Sequence, residues 1–277
     1  SNSFLFYSNN NYSDEENLPD NTKSFTWTDN LAESTNIYHS DYFPKDKMAG
    51  LLMNAEIENA QKVLHHAARP FTAIVGGAKV SDKILIVENL LNLADHIIIG
   101  GGMAYTFYKA MGGQIGNSLC EADRLDTCID ILEKAKAKGV QIHLPTDAVI
   151  ADRFAADAQT ATSSSAEIAD GWMGLDIGPA AIKDFTAVLL ASKTILWNGP
   201  MGVFEMPAFE NGTKSIAHAV AAATKNGAFS LIGGGDSAAA VQQFNLSSKV
   251  SYVSTGGGAL LEYFEGKTLP GVQALEA

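Results

Sequence analysis

FTAIVGGAKVSDKILIVENLLNLADHIIIGGGMAYTFYKAM, residues 71–111, presents one order of parts twice. An apolar run, Phe71–Val75, ends in Gly76-Gly77 and is followed by a stretch with helical spacing, Asp82–Leu93. A second apolar run, His96–Ile99, ends in Gly100-Gly101-Gly102 and is followed by a second helical stretch, Ala104–Met111. The apolar runs are too short for buried helices and rich in β-branched residues, so they predict strands. Short, wholly apolar strands alternating with helices predict β-α-β units, in which parallel strands are buried on both faces.

The alternation continues outward. Further apolar runs lie at Val140–Leu144, Thr194–Trp197, Ala228–Ile232 and Val250–Val253, and further helical stretches at Asp123–Lys138, Ala180–Leu190, Ala208–Ala223 and Ser237–Phe244. Met48–His65 has the spacing of an amphipathic helix. The expected fold is α/β: a three-layer, Rossmann-like parallel sheet with helices on both faces, over residues 67–277, preceded by a helix over 48–66. Thr160–Ser165 is a low-complexity stretch expected to form a loop or an edge hairpin. Residues 1–47 are rich in Asn, Asp, Ser and Tyr without a clear period, a long piece to lack regular structure in a compact domain.

Composition narrows the function. With 19 basic and 31 acidic residues in 277, the net charge of −12 disfavours binding to a nucleic-acid backbone. The apolar fraction of 46% suffices for a buried core. No run approaches the ~18 apolar residues of a membrane span, and the opening residues lack the basic start of a secretory signal. A cytoplasmic protein with no nucleic-acid or membrane partner is expected. Cys120 and Cys128 have neither zinc-site nor disulfide-framework spacing and are expected to be reduced thiols on a helix. The six histidines are dispersed, with no pair at catalytic or metal-ligand spacing, and no G-x-S-x-G elbow occurs.

Glycines cluster where strands give way to helices: Gly76-Gly77, Gly100-Gly101-Gly102, Gly199 and Gly202, Gly233-Gly234-Gly235, and Gly256-Gly257-Gly258. In an open parallel sheet these loops share the rim where ligands bind. Glycine permits close approach of a ligand to the backbone, and helix starts offer unpaired N–H groups suited to an anion. Glycine also serves plain turns. Lys79 and Lys83, four apart at an expected helix start, would project from one face and suit a polyphosphate; otherwise Lys83 is a surface lysine paired with Glu88. Asp236 is either an N-cap or a Mg²⁺ ligand shared with phosphate oxygens. Glu205 is either an acceptor for ribose hydroxyls or a solvated loop charge. Gly266-Lys267-Thr268 resembles the end of a P-loop but has Leu261 where the pattern needs glycine. Gly233-x-Gly235-x-x-Ala238 matches a dinucleotide fingerprint, but the acidic ribose partner about 20 residues on is missing from Val250–Thr255.

RPFTAIVGGAKVSDK (69–83), IIIGGGMAYTF (97–107), GWMGLDIGP (171–179), ILWNGPMGVFE (195–205), GAFSLIGGGDSAAAV (227–241) and VSTGGGALLEYFEGKTLPGV (253–272) together resemble the carboxyl-terminal, nucleotide-binding half of the phosphoglycerate kinases, in that family's order. Residues 48–64 resemble the helix that joins the family's two domains. The resemblance implies phosphoryl transfer between 1,3-bisphosphoglycerate with MgADP and 3-phosphoglycerate with MgATP, with Mg²⁺ as cofactor, ATP/ADP as substrate and a monomeric state. It implies that Lys79 and Lys83 contact nucleotide phosphates, Lys83 also lying near the transferring group. Gly77, Gly101, Gly174 and Leu175 would line the adenine, and Asn198 and Pro200 would sit near the phosphates and base. Glu205 would bind the ribose. Gly234, Gly235, Asp236 and Ser237 would form the phosphate and metal loop, with Asp236 as the Mg²⁺ residue. Gly256, Gly257 and Gly258 would offer backbone N–H groups to the phosphoryl group in flight.

The amino-terminal half departs from the family. Its stretches D-F-N-V-P, S-H-L-G-R-P and E-N-L-R-F are absent, and residues 1–47 contain no arginine. Asp20-Asn21-Thr22-Lys23 and Ala32-Glu33-Ser34-Thr35 faintly resemble family segments that lie farther apart. Residues 1–47 are therefore expected to be a remnant of an amino-terminal substrate domain or a disordered arm. As written, the chain would bind Mg-nucleotide while lacking the phosphoglycerate site, so it would transfer phosphate poorly or not at all.

Overall fold

In the computed structural model, which describes residues 50–269 and 272–273, helix α1 (Leu51–His65) leads into β1 (Phe71–Val75), α2 (Ile84–Leu90), β2 (His96–Ile99) and α3 (Met103–Ala110). The short strand β3 (Gln114–Ile115), α4 (Leu125–Lys138), β4 (Gln141–His143), β5 (Asp147–Ala151), β6 (Thr160–Ser164), β7 (Glu167–Ile168) and β8 (Met173–Ile177) follow. The chain continues through α5 (Pro179–Ala191), β9 (Thr194–Asn198), α6 (Asn211–Lys225), β10 (Phe229–Gly233), α7 (Gly235–Gln243), β11 (Tyr252–Val253) and α8 (Gly257–Phe264). The expectations for residues 1–47 lie outside the described residues.

Six strands form one parallel sheet in the order β11-β10-β9-β1-β2-β4. The two-residue period of a strand sends alternate side chains to opposite faces. Phe71, Ala73 and Val75 of β1, Ile97 and Ile99 of β2, Leu196 and Leu231 pack with α1, α2, α3, α4 and α8. Ile74, Ile98, Ile195, Trp197 and Ile232 pack with α5, α6 and α7. The expected three-layer α/β architecture is thus present, and it explains why β1 and the middle of β9 are apolar: each strand is buried throughout.

Three features depart from expectation. The helix foreseen from Asp82 begins only at Ile84, so Lys79–Lys83 is a turn, closed by the Lys83 N–H on the Val80 carbonyl at 2.9 Å. Gly257 and Gly258, expected only as part of a glycine loop, open a helix that runs to Phe264. A second, antiparallel sheet, β6-β5-β8, is inserted between β4 and α5; within it the low-complexity stretch forms edge strand β6. Strand β6 carries Thr and Ser on a largely exposed surface, so hydrophobic periodicity could not mark it, whereas β5 and β8 are mostly buried. No described helix is long and apolar enough to cross a membrane.

Candidate functional site

The strand register brings four strand ends into line. Val75 pairs with both Ile99 and Asn198, and Asn198 pairs with Gly233. The loops that follow therefore leave the sheet along one rim, the place where sheets of this kind bind ligands.

The rim glycines divide into two kinds. A side chain on Gly76 would meet the carbonyls of Gly199 and Pro200, and one on Gly101 (φ 69°) would meet the backbone of Gly77. These glycines let neighbouring loops stack backbone on backbone. Gly235, Gly257 and Gly258, by contrast, face open space. Gly77 faces only the stem of Lys83, whose Cε would lie 3.9 Å from an added Cβ. Close approach of a ligand is thus geometrically free at the starts of α7 and α8 and beside Gly77.

Asn198, fully buried at the tip of β9, ties the rim together. Its Oδ1 accepts a short hydrogen bond from Lys83 Nζ, and its Nδ2 donates to the Gly233 carbonyl at 2.8 Å. Burial holds the Lys83 ammonium below its usual pKa, against the raising influence of Asp236, Asp82 and Glu265. Lys83 is a desolvated cation with a single neutral partner, a poor arrangement in isolation and a good one for an incoming anion. Lys79 is exposed on the same turn. Glu88 pairs with Lys134 at 2.6 Å, so it is no partner for Lys83.

Asp236 is exposed in the first turn of α7, and its carboxylate forms no hydrogen bond or ion pair among the described residues. An unengaged oxygen donor close enough to influence Lys83 fits a hard cation held jointly with phosphate oxygens. No cluster of three His, Cys, Asp or Glu side chains that could hold a metal occurs among the described residues. Ser237 is fully buried, and its Oγ accepts the Gly199 N–H at 2.6 Å, bolting the α7 start to the β9 loop.

At the start of α8 the Gly256 N–H is already donated to Ser254 Oγ at 3.0 Å. The N–H groups of Gly257 and Gly258 have no partner among the described residues. Sequence reasoning missed what fixes this turn. Glu56, buried on α1, accepts from Ser254 Oγ at 2.7 Å, from the Thr255 N–H at 2.7 Å and from Thr255 Oγ1 at 3.0 Å. The signal was available as one acidic residue on the apolar stripe of an amphipathic helix.

Of the remaining candidates, Gly174 and Leu175 lie on strand β8 of the antiparallel sheet, and Pro200 and Glu205 lie on the loop after β9. Gly174 admits no side chain because Tyr105 covers it, and its N–H donates to Ser118 Oγ at 2.9 Å. Leu175 is buried with Ala151 and Phe209. Pro200 follows Gly199 on the β9 loop, and Glu205 is exposed farther along it. Leu119, also missed, is 47% exposed and lies against Gly102, an apolar side chain left open on the rim. Beneath these loops Asp176 accepts N–H bonds from Gly212 at 2.6 Å and Ile177 at 2.9 Å. Its burial nevertheless pushes its pKa up to about 7.

Two pairs lie away from the rim. His96 and His143 are 47 residues apart, yet adjacent strands bring Nδ1 and Nε2 to 3.1 Å. The expectation of dispersed histidines fails here because strand pairing ignores sequence distance. Cys120 and Cys128 are both free thiols, but only Cys128 lies on a helix, buried on α4; Cys120 precedes the short 3₁₀ turn Ala122–Arg124.

Comparison with known proteins gives a consistent result. A family model described as phosphoglycerate kinase matches residues 30–267. A phosphoglycerate kinase of Porphyromonas gingivalis is 56% identical over 250 residues, which is 90% of this chain and 60% of that protein. A cytosolic phosphoglycerate kinase of Nicotiana tabacum is 53% identical over 232 residues, 84% of this chain and 58% of that protein. The solved phosphoglycerate kinase of Coxiella burnetii superposes with a TM-score of 0.79 at 44% identity, covering 82% of this chain and 58% of that one. The chain spans about three-fifths of the length of such relatives.

Proposed function

The chain belongs to the phosphoglycerate kinase family, and we propose that its rim is the nucleotide half of a site that moves a phosphoryl group between 1,3-bisphosphoglycerate and ADP, and between ATP and 3-phosphoglycerate. One observation carries this proposal: the desolvated Lys83, the unengaged Asp236 and the free N–H groups of Gly257 and Gly258 all border open space on one rim. Phosphoryl transfer asks mainly for positioning and charge neutralisation, and these groups provide both.

In this proposal Lys79 and Lys83 bind the nucleotide phosphates, and the Gly234–Ser237 turn cradles them. Asp236 would hold Mg²⁺, which neutralises phosphate charge when it arrives with the nucleotide. Gly77, Gly101, Gly174, Leu175 and Pro200 border the adenine, Glu205 takes the ribose, and Gly257 and Gly258 donate to the group in flight. Helix α1 would be the connection to a substrate-binding domain. By likeness to relatives named as cytosolic, the protein would work as a soluble glycolytic kinase of the cytosol. It would act as a monomer on small molecules.

A second outcome is supported by the arginines. Arg69, Arg124 and Arg153 are the chain's only three, and each is ion-paired at the surface with a neighbouring aspartate. The described residues thus hold no arginine cluster to grip a phosphoglycerate, so this chain alone would bind Mg-nucleotide without transferring phosphate. Titration with MgADP and with NAD tests the nucleotide site; saturable binding of MgADP alone is expected, and indifference to MgADP would defeat the proposal. A coupled assay with 3-phosphoglycerate and MgATP then separates kinase from binding fragment.

A further inference from the structure

The turn Lys79–Lys83 carries both lysines of the proposed phosphate site, yet its own closure is one backbone hydrogen bond. Its position is set from 40 residues away. Glu121 Oε2 accepts the Ser81 N–H at 3.0 Å and Oε1 accepts the Ser81 hydroxyl at 2.5 Å, while the Val80 N–H also donates to this carboxylate. Glu121 is itself anchored: its N–H donates to Oγ1 of Thr106, a buried residue of α3, at 3.2 Å. The bonds from Ser81 and Val80 and the nearby Lys79 charge outweigh its partial burial and hold its pKa below the usual range, so the acceptor is an ionised carboxylate.

We propose that Glu121 is a positioning residue for nucleotide phosphate recognition: it clamps the Val80–Ser81 turn to α3 so that Lys79 and Lys83 stand ready at the rim. This rests on the phosphate role given above to the two lysines. Glu121 touches no ligand; it acts through the turn. A turn held by several charge-assisted hydrogen bonds keeps its cations in place before the ligand arrives, so less ordering remains to be done on binding.

The test is calorimetric titration of the full chain with MgADP and, separately, with adenosine, for Glu121→Gln, Ser81→Ala and Lys83→Ala. Ser81→Ala removes one bond without altering charge, and it remains informative where Glu121→Gln fails to fold. Both clamp variants are expected to bind MgADP about three- to tenfold more weakly and adenosine as the parent does. A general packing defect would weaken MgADP and adenosine equally, and that overturns the proposal. Unchanged or tighter MgADP binding in Glu121→Gln also overturns it, since a carboxylate acting only as a charge beside Lys79 opposes an anion. If Lys83→Ala binds MgADP like the parent, the phosphate site itself is misassigned; if only Lys83→Ala weakens binding, the site stands and the clamp falls.

Discussion

The Glu56 carboxylate reaches across from helix α1 to Thr255, taking both its N–H, at 2.7 Å, and its hydroxyl, at 3.0 Å. With Ser254 as third donor, one buried side chain fixes the turn from which Gly257 and Gly258 present their N–H groups.

Replacing Glu56 by Ala leaves three donors without their acceptor. A loss of about 1–3 kcal/mol in stability is expected, read by urea unfolding, together with faster amide exchange over 256–259 than elsewhere. Uniform exchange across the sheet and this turn would mean that Glu56 does not fix it.

The two kinds of rim glycine respond oppositely to alanine. Gly235→Ala enters open space at a helix start, so the melting temperature should hold while MgADP binding weakens. Gly101→Ala must adopt a positive φ against the Gly77 backbone and should destabilise the fold before any ligand is added. Equal effects of both changes on melting would contradict the division.

Asp236→Ala removes an exposed carboxylate with no partner among the described residues, so stability should be nearly unaffected. Its affinity for ADP should no longer rise when Mg²⁺ is added, as measured by titration with and without the metal. A preserved Mg²⁺ effect would take the metal role from Asp236.

Asp176 makes stability depend on pH. Its pKa rises on folding from 3.8 to about 7, so between these values the folded protein holds a proton that the unfolded chain has released. This contribution is complete below pH 4 and disappears as pH rises through about 7, on the order of 4 kcal/mol in total. Urea unfolding at pH 5.5 and pH 8 should therefore show a smaller loss with rising pH in Asp176→Asn than in the parent, whatever the absolute cost of the substitution. Parallel slopes would count against a neutral Asp176.

The sequence determined the layers and the rim. Strands buried on both faces must be apolar throughout, and glycines must stand where loops cross or a ligand approaches, so Phe71–Val75, Gly76-Gly77 and Thr194–Trp197 declare themselves locally. The sequence could not separate Gly101, which makes room for Gly77, from Gly235, which faces open space, because both needs are met by the same missing side chain. Nor could it find Glu56 with Thr255, Glu121 with Ser81, Lys83 with Asn198 or His96 with His143, all of which join residues distant along the chain. Periodicity reports burial, a property each residue carries along its own element. Polar pairing depends on which elements the sheet order makes neighbours, and only the tertiary structure decides that.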